Sequence, residues 1–250
     1  VSLGLYHACG LRPDGELLCW GGGGSGQKDV LPGTYIHVSA GGNHTCAINS
    51  SDSLECWGYD LYGQVSDAPS GTFTSVDAGT NHTCALDTSG SIECWGYDNY
   101  DQVTDTPTGS GYTAVSAGTY HSCALGSSGG VECWEDDTYD QVSDAPPGTG
   151  YTTVSGGYFH TCALDAEGVI HCWGNPTGDL PTGSFVALDC GSRDSCAWDA
   201  SGTVTCWGVD ALVAPGGAFQ SVSVGKDHAC GFDTAGDMHC WGDDMWGKAT

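Results

Sequence analysis

Short apolar segments recur along the chain at intervals of 34 to 39 residues, separated by polar, glycine-rich stretches. Each repeat begins with a Val-Ser-x-Gly type of segment, as in Val38 to Gly41, and continues with a segment such as His121 to Leu125. A third segment ends at a Cys-Trp pair, for example Cys56-Trp57. Short runs of this kind without helical periodicity are typical of strands. The pattern predicts an all-β chain of seven repeats, each with three short strands.

The fifteen cysteines form seven pairs whose members stand ten positions apart, and Cys190 is left over. The predicted disulfides are Cys9–Cys19, Cys46–Cys56, Cys84–Cys94, Cys123–Cys133, Cys162–Cys172, Cys196–Cys206 and Cys230–Cys240. Zinc sites use closely spaced Cys-x2-4-Cys knuckles grouped in fours, which this spacing does not provide. Because seven disulfides persist only in an oxidising compartment, we expect a secreted or cell-surface protein. Cys190 occupies the position of Ala40, Ala78 and Ala117, which favours a small buried thiol over an intermolecular bridge.

The ten-residue spacing also predicts the geometry of a hairpin. A three-residue loop with a type I turn needs its last residue in the left-handed region, where glycine is most easily accommodated. If each cysteine pair lies directly cross-strand, these loop positions are Gly15, Asp52, Gly90, Gly129, Gly168, Gly202 and Gly236. Directly opposed Cα atoms lie about 4.5–5.5 Å apart, within the reach of a disulfide. Each bridge should therefore close its own hairpin and stabilise it by roughly 2–3 kcal/mol.

A repeat of this length is the size of one propeller blade, and the whole number of repeats disfavours an open solenoid or two domains. We predict one seven-bladed β-propeller domain spanning residues 1–250, with one disulfide per blade. Its approximate repeats are residues 1–37, 38–75, 76–114, 115–153, 154–187, 188–221 and 222–250.

The repeat pattern resembles the regulator of chromosome condensation repeat, in the cysteine-bearing form found in bacterial secreted proteins. The run from Gly118 to Leu125 carries the Gly-x-x-His-x-Cys-Ala-Leu motif, and Cys56-Trp57-Gly58 is followed by Gly63-Gln64. The resemblance covers nearly the whole chain and implies a propeller. It does not imply one function, since similar proteins include a nucleotide exchange factor of a nuclear GTPase and a secreted β-lactamase inhibitor. Here Val65-Ser66 replaces the usual Leu-Gly, and the sixth repeat has Arg193-Asp194 in place of its histidine.

The chain begins inside the first strand of a repeat, at Val1, and ends at Thr250 before that strand would recur. We therefore expect the ring to close noncovalently. Either the segment Val1 to Gly4 completes the last blade, or flanking sequence or a neighbouring molecule supplies the missing edge.

The charge balance excludes several partners. Asp and Glu number 31 against five Lys and Arg, a formal net charge of −26, which leaves no basic surface for nucleic acid or anionic lipid. Solubility in a saline setting is favoured over a specific cationic partner as the reason for the excess acid. No apolar run is long enough to predict membrane insertion.

Motifs for catalysis are lacking as well. Neither Gly-x-Ser-x-Gly nor His-Glu-x-x-His occurs, and the Gly21-x-Gly23-x-x-Gly26 match is not followed by a crossover helix. We predict a non-enzymatic protein with no catalytic residue, no resident metal and no cofactor.

Six histidines and seven tryptophans recur in register. The histidines are His7, His44, His82, His121, His160 and His228. They could ring a channel as metal ligands or pH sensors, but repetition favours hydrogen-bonded packing residues. The tryptophans after each second cysteine are expected to pack between blades.

One polar and aromatic loop per repeat is the candidate ligand-binding surface. Its residues are Tyr59, Asp60, Tyr62, Tyr97, Asp98, Tyr100, Asp136, Asp137, Tyr139, Asp243, Asp244 and Trp246. All are expected on one face of the ring, where tyrosine stacks on sugars or anchors a protein and aspartate accepts hydroxyl hydrogens. The carboxylates could also gather Ca²⁺, and a plain turn-forming role for aspartate is the alternative. Glycosylation acceptors are predicted at Asn43, Asn49 and Asn81.

Three function classes follow. The favoured one is a structural or adhesive extracellular protein that binds protein, with assembly into a polymer, filament or surface layer as one form. The second is a lectin-like or inhibitor-like module using the Tyr/Asp loops to bind glycan or protein. The third, an enzyme built around the central channel, has the least support.

Overall fold

The computed structural model describes residues 1–176, 178–209, 212–244 and 247, which form seven three-stranded antiparallel sheets. Each sheet contains one of the seven predicted disulfides. The prediction of an all-β, seven-bladed propeller with one disulfide per blade is confirmed. Within the described ranges there is no helix of a length and apolarity that could cross a membrane.

Each blade has an inner, a middle and an outer strand. The inner strands are β1 (Ser2–Leu3), β4 (Tyr35–Ala40), β7 (Phe73–Ala78), β10 (Tyr112–Ala117), β13 (Tyr151–Gly156), β16 (Ala187–Cys190) and β19 (Phe219–Val224). The middle strands are β2 (His7–Leu11), β5 (His44–Asn49), β8 (His82–Asp87), β11 (His121–Gly126), β14 (His160–Asp165), β17 (Asp194–Trp198) and β20 (His228–Asp233). The outer strands are β3 (Leu17–Gly21), β6 (Leu54–Gly58), β9 (Ile92–Gly96), β12 (Val131–Glu135), β15 (Ile170–Gly174), β18 (Val204–Gly208) and β21 (Met238–Gly242).

The middle and outer strands form the hairpins that the cysteine spacing predicts. Cys9 lies directly opposite Cys19, and the other six pairs occupy the same register. The last loop residue is left-handed in every hairpin, with φ between 61° and 89°, and Asp52 is the one that is not glycine. The turn prediction is therefore confirmed.

The two strands approach more closely at the cysteines than the expected 4.5–5.5 Å. Their Cα atoms are 4.0–4.1 Å apart in all seven pairs. Arg12 N–H donates to the Glu16 carbonyl, so alternation along the ladder makes the cysteine pair a non-hydrogen-bonded one. Such pairs are the closer kind in an antiparallel sheet, and the bridge holds the two backbones closer still.

Hydrogen bonds between inner strands close the ring. In each blade a Ser or Asp side chain accepts a backbone N–H from the inner strand of the next blade, over 2.7–3.2 Å. The acceptor–donor pairs are Ser2–Ala40, Ser39–Ala78, Asp77–Ala117, Ser116–Gly156, Ser155–Cys190, Asp189–Val224 and Ser223–Leu3. The last of these joins the seventh blade to the first.

This arrangement corrects one expectation about the seam. The segment Val1 to Gly4 does not complete the last blade, because β1 pairs with β2 inside the first sheet. The last sheet contains β19, β20 and β21. The reason is register, since Val1 to Gly4 corresponds to Val38 to Gly41 and takes the same inner-edge position in its own blade.

The hydrophobic core lies between blades as a series of small clusters. In the cluster between blades two and three, Cys46 and Ile48 pack with Phe73, Ala85 and Trp95. One blade thus contributes its disulfide and the next its tryptophan, which confirms the packing role predicted for the tryptophans. The predicted buried thiol is also confirmed, since Cys190 forms no disulfide and is buried between blades five and six.

Glu135 departs from the repeat in a way that strains the fold. It stands where the other six blades have a glycine after the tryptophan, and it keeps their left-handed backbone with φ of 91°. Its side chain is fully buried, and one carboxyl oxygen lies 3.9 Å from His82 Nε2. Burial raises the pKa of Glu135 to about 10, helped by nearby Asp98, so the buried carboxyl is protonated at neutral pH.

We expect Glu135→Gly to stabilise the protein. A non-glycine residue in the left-handed region costs roughly 1–2 kcal/mol. A carboxyl that is protonated when folded and ionised when unfolded costs roughly 3 kcal/mol more at pH 7. That second contribution grows as pH rises above the unfolded pKa, so the gain in the free energy of unfolding should be larger at pH 7 than at pH 5. Urea unfolding at both pH values measures it, and an unchanged or lower midpoint at pH 7 contradicts the assignment.

Candidate functional site

In blades two to four, the loop that follows the outer strand is built around one aspartate. Asp60 Oδ1 accepts the backbone N–H groups of Val65 and Ser66, both over 2.9 Å. Asp98 and Asp137 hold the equivalent positions of their own loops in the same way. Partial burial works against ionisation of these carboxyls, but the hydrogen bonds outweigh it and lower the pKa of all three. The turn-forming role weighed for aspartate therefore describes what these three side chains do.

In blades one to four, this loop is tied to the next blade by a buried glutamine. Gln64 Oε1 accepts the N–H of Tyr62 over 2.9 Å, and the Gln64 carbonyl accepts the Trp95 indole N–H over 3.0 Å. Gln27, Gln102 and Gln141 make the same pair of contacts in their blades. From the sequence, Gln64 is noted only as part of the Gly63-Gln64 motif, and this role is missed for all four glutamines. They fix the backbone on either side of the loop tyrosines.

Eight aromatic rings from blades two to five form a continuous surface, called the aromatic surface below. Its members are Tyr59, Tyr62, Tyr97, Tyr100, Tyr120, Tyr139, Tyr158 and Phe159. Neighbouring ring centroids are 4.1–6.3 Å apart, and the planes meet at 49–83° except in the Tyr120–Phe159 pair, which is stacked at 30°. Such tilted and edge-to-face contacts are the favoured geometry for aromatic pairs.

Five members of the aromatic surface are predicted tyrosines, and three were missed. Tyr120, Tyr158 and Phe159 come from the short loops between inner and middle strands, just before His121 and His160. The available signal was an aromatic residue at a position where blades two and three have Asn43 and Asn81. The fold places those loops beside the outer-strand loops, so Tyr100 contacts Tyr120 at 5.4 Å.

The aromatic surface is both held in place and open to solvent. Tyr62, Tyr100 and Tyr139 remain 40–46 % exposed. The hydroxyls of Tyr120 and Tyr158 are 3.3 Å apart, and the Asn99 amide donates to the Tyr97 hydroxyl over 3.0 Å. The contact with Tyr158, together with burial, raises the pKa of Tyr120 to about 12, so this ring is uncharged at neutral pH. The surface offers aromatic area whose orientation is fixed before a partner binds.

The remaining predicted site residues are Asp136, Asp243, Asp244 and Trp246. Asp136 accepts hydrogen bonds from Thr138 and from the Gln141 amide, so it supports its own loop. Asp243 and Asp244 are exposed in the loop of the seventh blade, and Trp246 lies outside the described residues. Among the residues that the structure describes, the loop aspartates form no group of three ligand atoms within 4.8 Å of one another.

The three predicted glycosylation acceptors sit in tightly bonded positions. Asn49 donates to Glu55 and accepts the N–H groups of Ser51 and Ser53, so its amide stabilises a hairpin turn. Asn43 and Asn81 are half-buried, and the threonines two positions after them are fully buried. Glycosylation stays a prediction at all three.

Among the residues that the structure describes, small and polar side chains line the central channel, and none of the in-register histidines does. One cavity of about 100 Å³ is lined by the Ser and Asp side chains that close the ring. Burial raises the pKa of Asp189 to about 6 in spite of the hydrogen bond from Val224 N–H. A second cavity of about 70 Å³ is lined mainly by the glycine and alanine residues of the inner strands.

The in-register histidines lie between blades. The imidazole Nε2 of His7 is 2.7 Å from Thr45 Oγ1 of the next blade, and four further histidines make the same contact over 2.7–2.9 Å. Burial lowers the pKa of these five to about 3–4, so they are neutral at pH 7. Their geometry is that of packing residues, as favoured from the sequence.

Comparison with known proteins places this architecture in a wider group. The family model described as the regulator of chromosome condensation (RCC1) repeat matches the chain in five segments. These are residues 1–27, 35–64, 73–102, 151–177 and 219–244. No curated protein matches the sequence.

Several solved structures share the fold at low sequence identity. The CRINKLY WD40 ectodomain of the Arabidopsis thaliana receptor kinase ACR4 superposes with a TM-score of 0.83 at 24 % identity, covering 100 % of this chain and 96 % of that one. The ectodomain of the Physcomitrella patens receptor kinase CR4 gives 0.84 at 23 %, covering 97 % and 73 %. Prp20p of Saccharomyces cerevisiae, whose structure was described with its binding to Gsp1p and histones, gives 0.72 at 15 %, covering 84 % and 71 %. At these identities the likeness is one of fold.

Proposed function

Since the chain belongs to the regulator of chromosome condensation (RCC1) repeat family, we propose that it is a non-enzymatic, extracellular β-propeller that binds a protein partner through its aromatic surface. The whole of residues 1–250 acts as one rigid module in this proposal. Seven disulfides support an oxidising location, because reducing compartments do not maintain them. The structural neighbours include two receptor ectodomains, which is compatible with this setting.

The continuous run of eight rings is the observation that carries the proposal. Core packing does not need it, since the interior of each blade interface is filled by the disulfide and tryptophan clusters. Tyrosine is enriched at the centres of protein interfaces because it supplies a large contact area with few rotatable bonds. A surface held rigid by its own loops also loses little conformational entropy when it binds.

Charge indicates the kind of partner. The loops beside the aromatic surface carry exposed carboxylates, among them Asp101, Asp105, Asp140 and Asp144. A second copy of the chain would bring another net charge of −26 to the interface. A partner that presents lysine and arginine fits better, because cations are attracted to tyrosine faces and to the surrounding carboxylates.

The ring geometry favours protein over glycan as the ligand. Sugars stack flat on an exposed aromatic face, whereas most neighbouring rings here are tilted towards each other by 49–83°, with Tyr120 and Phe159 at 30°. The carboxylates that would accept sugar hydroxyls at Asp60, Asp98 and Asp137 already accept backbone N–H groups. Lectin-like binding and self-assembly are therefore alternative outcomes of the test.

The test compares binding before and after the exposed rings are removed. Tyr62→Ala, Tyr100→Ala and Tyr139→Ala are combined in one variant, and Tyr6→Ala serves as the control because Tyr6 is similarly exposed on blade one, outside the aromatic surface. Both proteins and the wild type are screened against a panel of purified extracellular proteins and a glycan array. We expect a basic protein partner whose affinity falls at least tenfold in the triple variant, is unchanged in the control and weakens with added salt.

Three results contradict the proposal. One is protein binding that the triple variant retains. Another is tyrosine-dependent binding confined to the glycan array. The third is self-association of the wild type, measured by sedimentation, that the triple variant abolishes.

A further inference from the structure

The interface between blades five and six holds a third sulfur beside a disulfide. Cys190 on β16 is buried and free, and its Sγ, Cys162 Sγ and a ring nitrogen of His160 all lie within 4.8 Å of one another. The other six blades have an apolar residue or glycine at this inner-strand position, namely Leu3, Ala40, Ala78, Ala117, Gly156 and Val224. In the cluster between blades one and two, for example, Ala40 packs in the cluster that contains Cys9. The interface between blades five and six differs from the rest in having a thiol at that contact.

We propose that Cys190 is a resident exchange partner of the Cys162–Cys172 disulfide. The Cys190 thiol loses its proton to water when the interface opens transiently, and the resulting thiolate attacks Cys162 Sγ. The Cys162–Cys190 bond forms while the Cys162–Cys172 bond breaks, and the electron pair leaves on Cys172 Sγ, which takes up the proton. One disulfide is lost and one is gained, so the exchange needs no oxidant or reductant.

The exchange changes which strands the disulfide joins and which cysteine carries the free thiol. The original bridge closes a hairpin within blade five, whereas the new one ties the middle strand of that blade to the inner strand of blade six. The free thiol moves from Cys190, which is 7 % exposed, to Cys172 on outer strand β15, which is half-buried. A concealed thiol thereby becomes one that a reagent or a partner can reach.

The burial of Cys190 keeps the exchange slow. Burial raises the pKa of the Cys190 thiol to about 12, so little thiolate is present at neutral pH. Closing the sulfur–sulfur distance to the roughly 2.0 Å of a disulfide also requires both side chains to rotate. The hairpin bridge is accordingly the resting form.

A matched pair of variants tests whether the two sulfurs can join. Cys172→Ser leaves Cys162 facing Cys190, while Cys133→Ser leaves Cys123 facing Gly156 and no third sulfur. Both variants are refolded in a glutathione redox buffer, denatured, alkylated and mapped by mass spectrometry. We expect no alkylated thiol and a Cys162–Cys190 cross-linked peptide in Cys172→Ser, against two alkylated thiols in Cys133→Ser. Two alkylated thiols in both variants overturn the proposal.

The wild-type protein gives a second readout that does not depend on deleting a bridge. The native protein is incubated with a maleimide in the absence of reductant, and the labelled position is identified. We expect slow labelling of Cys172, which Cys190→Ser abolishes. Labelling at Cys190, labelling of Cys172 that persists in Cys190→Ser, or no labelling overturns the exchange.

Discussion

Reduction of all seven disulfides is expected to unfold the protein at 25 °C and neutral pH. Each bridge closes a hairpin between cysteines ten residues apart, which contributes roughly 2–3 kcal/mol by restricting the unfolded chain. Together the seven contribute roughly 14–21 kcal/mol, whereas the free energy of unfolding of a folded domain is roughly 5–15 kcal/mol. The blades have little else to replace them, because the core is divided into small clusters, each containing cysteine sulfur.

Near-ultraviolet circular dichroism in dithiothreitol measures this, since the nine tryptophans report on packing between blades. The first cysteine of each bridge is 0 % exposed, so reduction should need mild urea or long incubation to open the hairpins. Protein treated with the same urea and no reductant is the control. A reduced protein that keeps its near-ultraviolet signal and a cooperative thermal transition contradicts the expected dependence on sulfur.

Acid is expected to destabilise the fold well before the carboxylates titrate. Burial between blades lowers the pKa of five imidazoles to about 3–4, namely those of His7, His44, His82, His121 and His160. In the unfolded chain they bind protons below a pKa near 6.5, so the unfolded state takes up more protons as pH falls. Each imidazole then lowers the free energy of unfolding by roughly 2 kcal/mol at pH 5, or roughly 10 kcal/mol for the five. Glu135 works in the opposite direction and offsets a part of this loss.

Urea unfolding at pH 7, 6 and 5 tests the effect of the histidine ring. We expect the midpoint to fall steadily across this range. His121→Gln should remove one proton from the pH dependence, because it deletes one of the buried imidazoles. A midpoint that is constant or rises between pH 7 and pH 5 would mean that the histidines are protonated in the folded protein.

The sequence predicts the hairpins of the blades well because hairpin geometry depends on residues that are close together in the chain. The Cys9–Cys19 spacing and Gly15 both belong to one hairpin of fewer than twenty residues. The same pattern recurs in all seven repeats. The predicted pairing and turn conformation follow from backbone sterics alone. The strand partner of the segment Val1 to Gly4 does not follow from local geometry, because it depends on how the ring closes.

The candidate site is predictable only in part. The tyrosines after each outer strand are visible as a repeated loop, but Tyr120, Tyr158 and Phe159 join them only through the packing of loops from different blades. The roles of Asp60 and Gln64 need hydrogen-bond partners that no residue pattern specifies. Glu135 looks like a minor change in the Cys-Trp-Gly motif, and its strain becomes apparent only with its burial and its positive φ.

Seven disulfides, each within one blade, hold an extracellular propeller together in this proposal. Disulfide mapping of the protein isolated from its natural source tests this. The sample is acid-quenched and digested without reductant. We expect seven linked peptides, each joining cysteines ten positions apart. We also expect one thiol, that of Cys190, to be alkylated after denaturation. Mostly free thiols, or bridges that mainly join different repeats, would contradict both the proposed location and the origin of the stability.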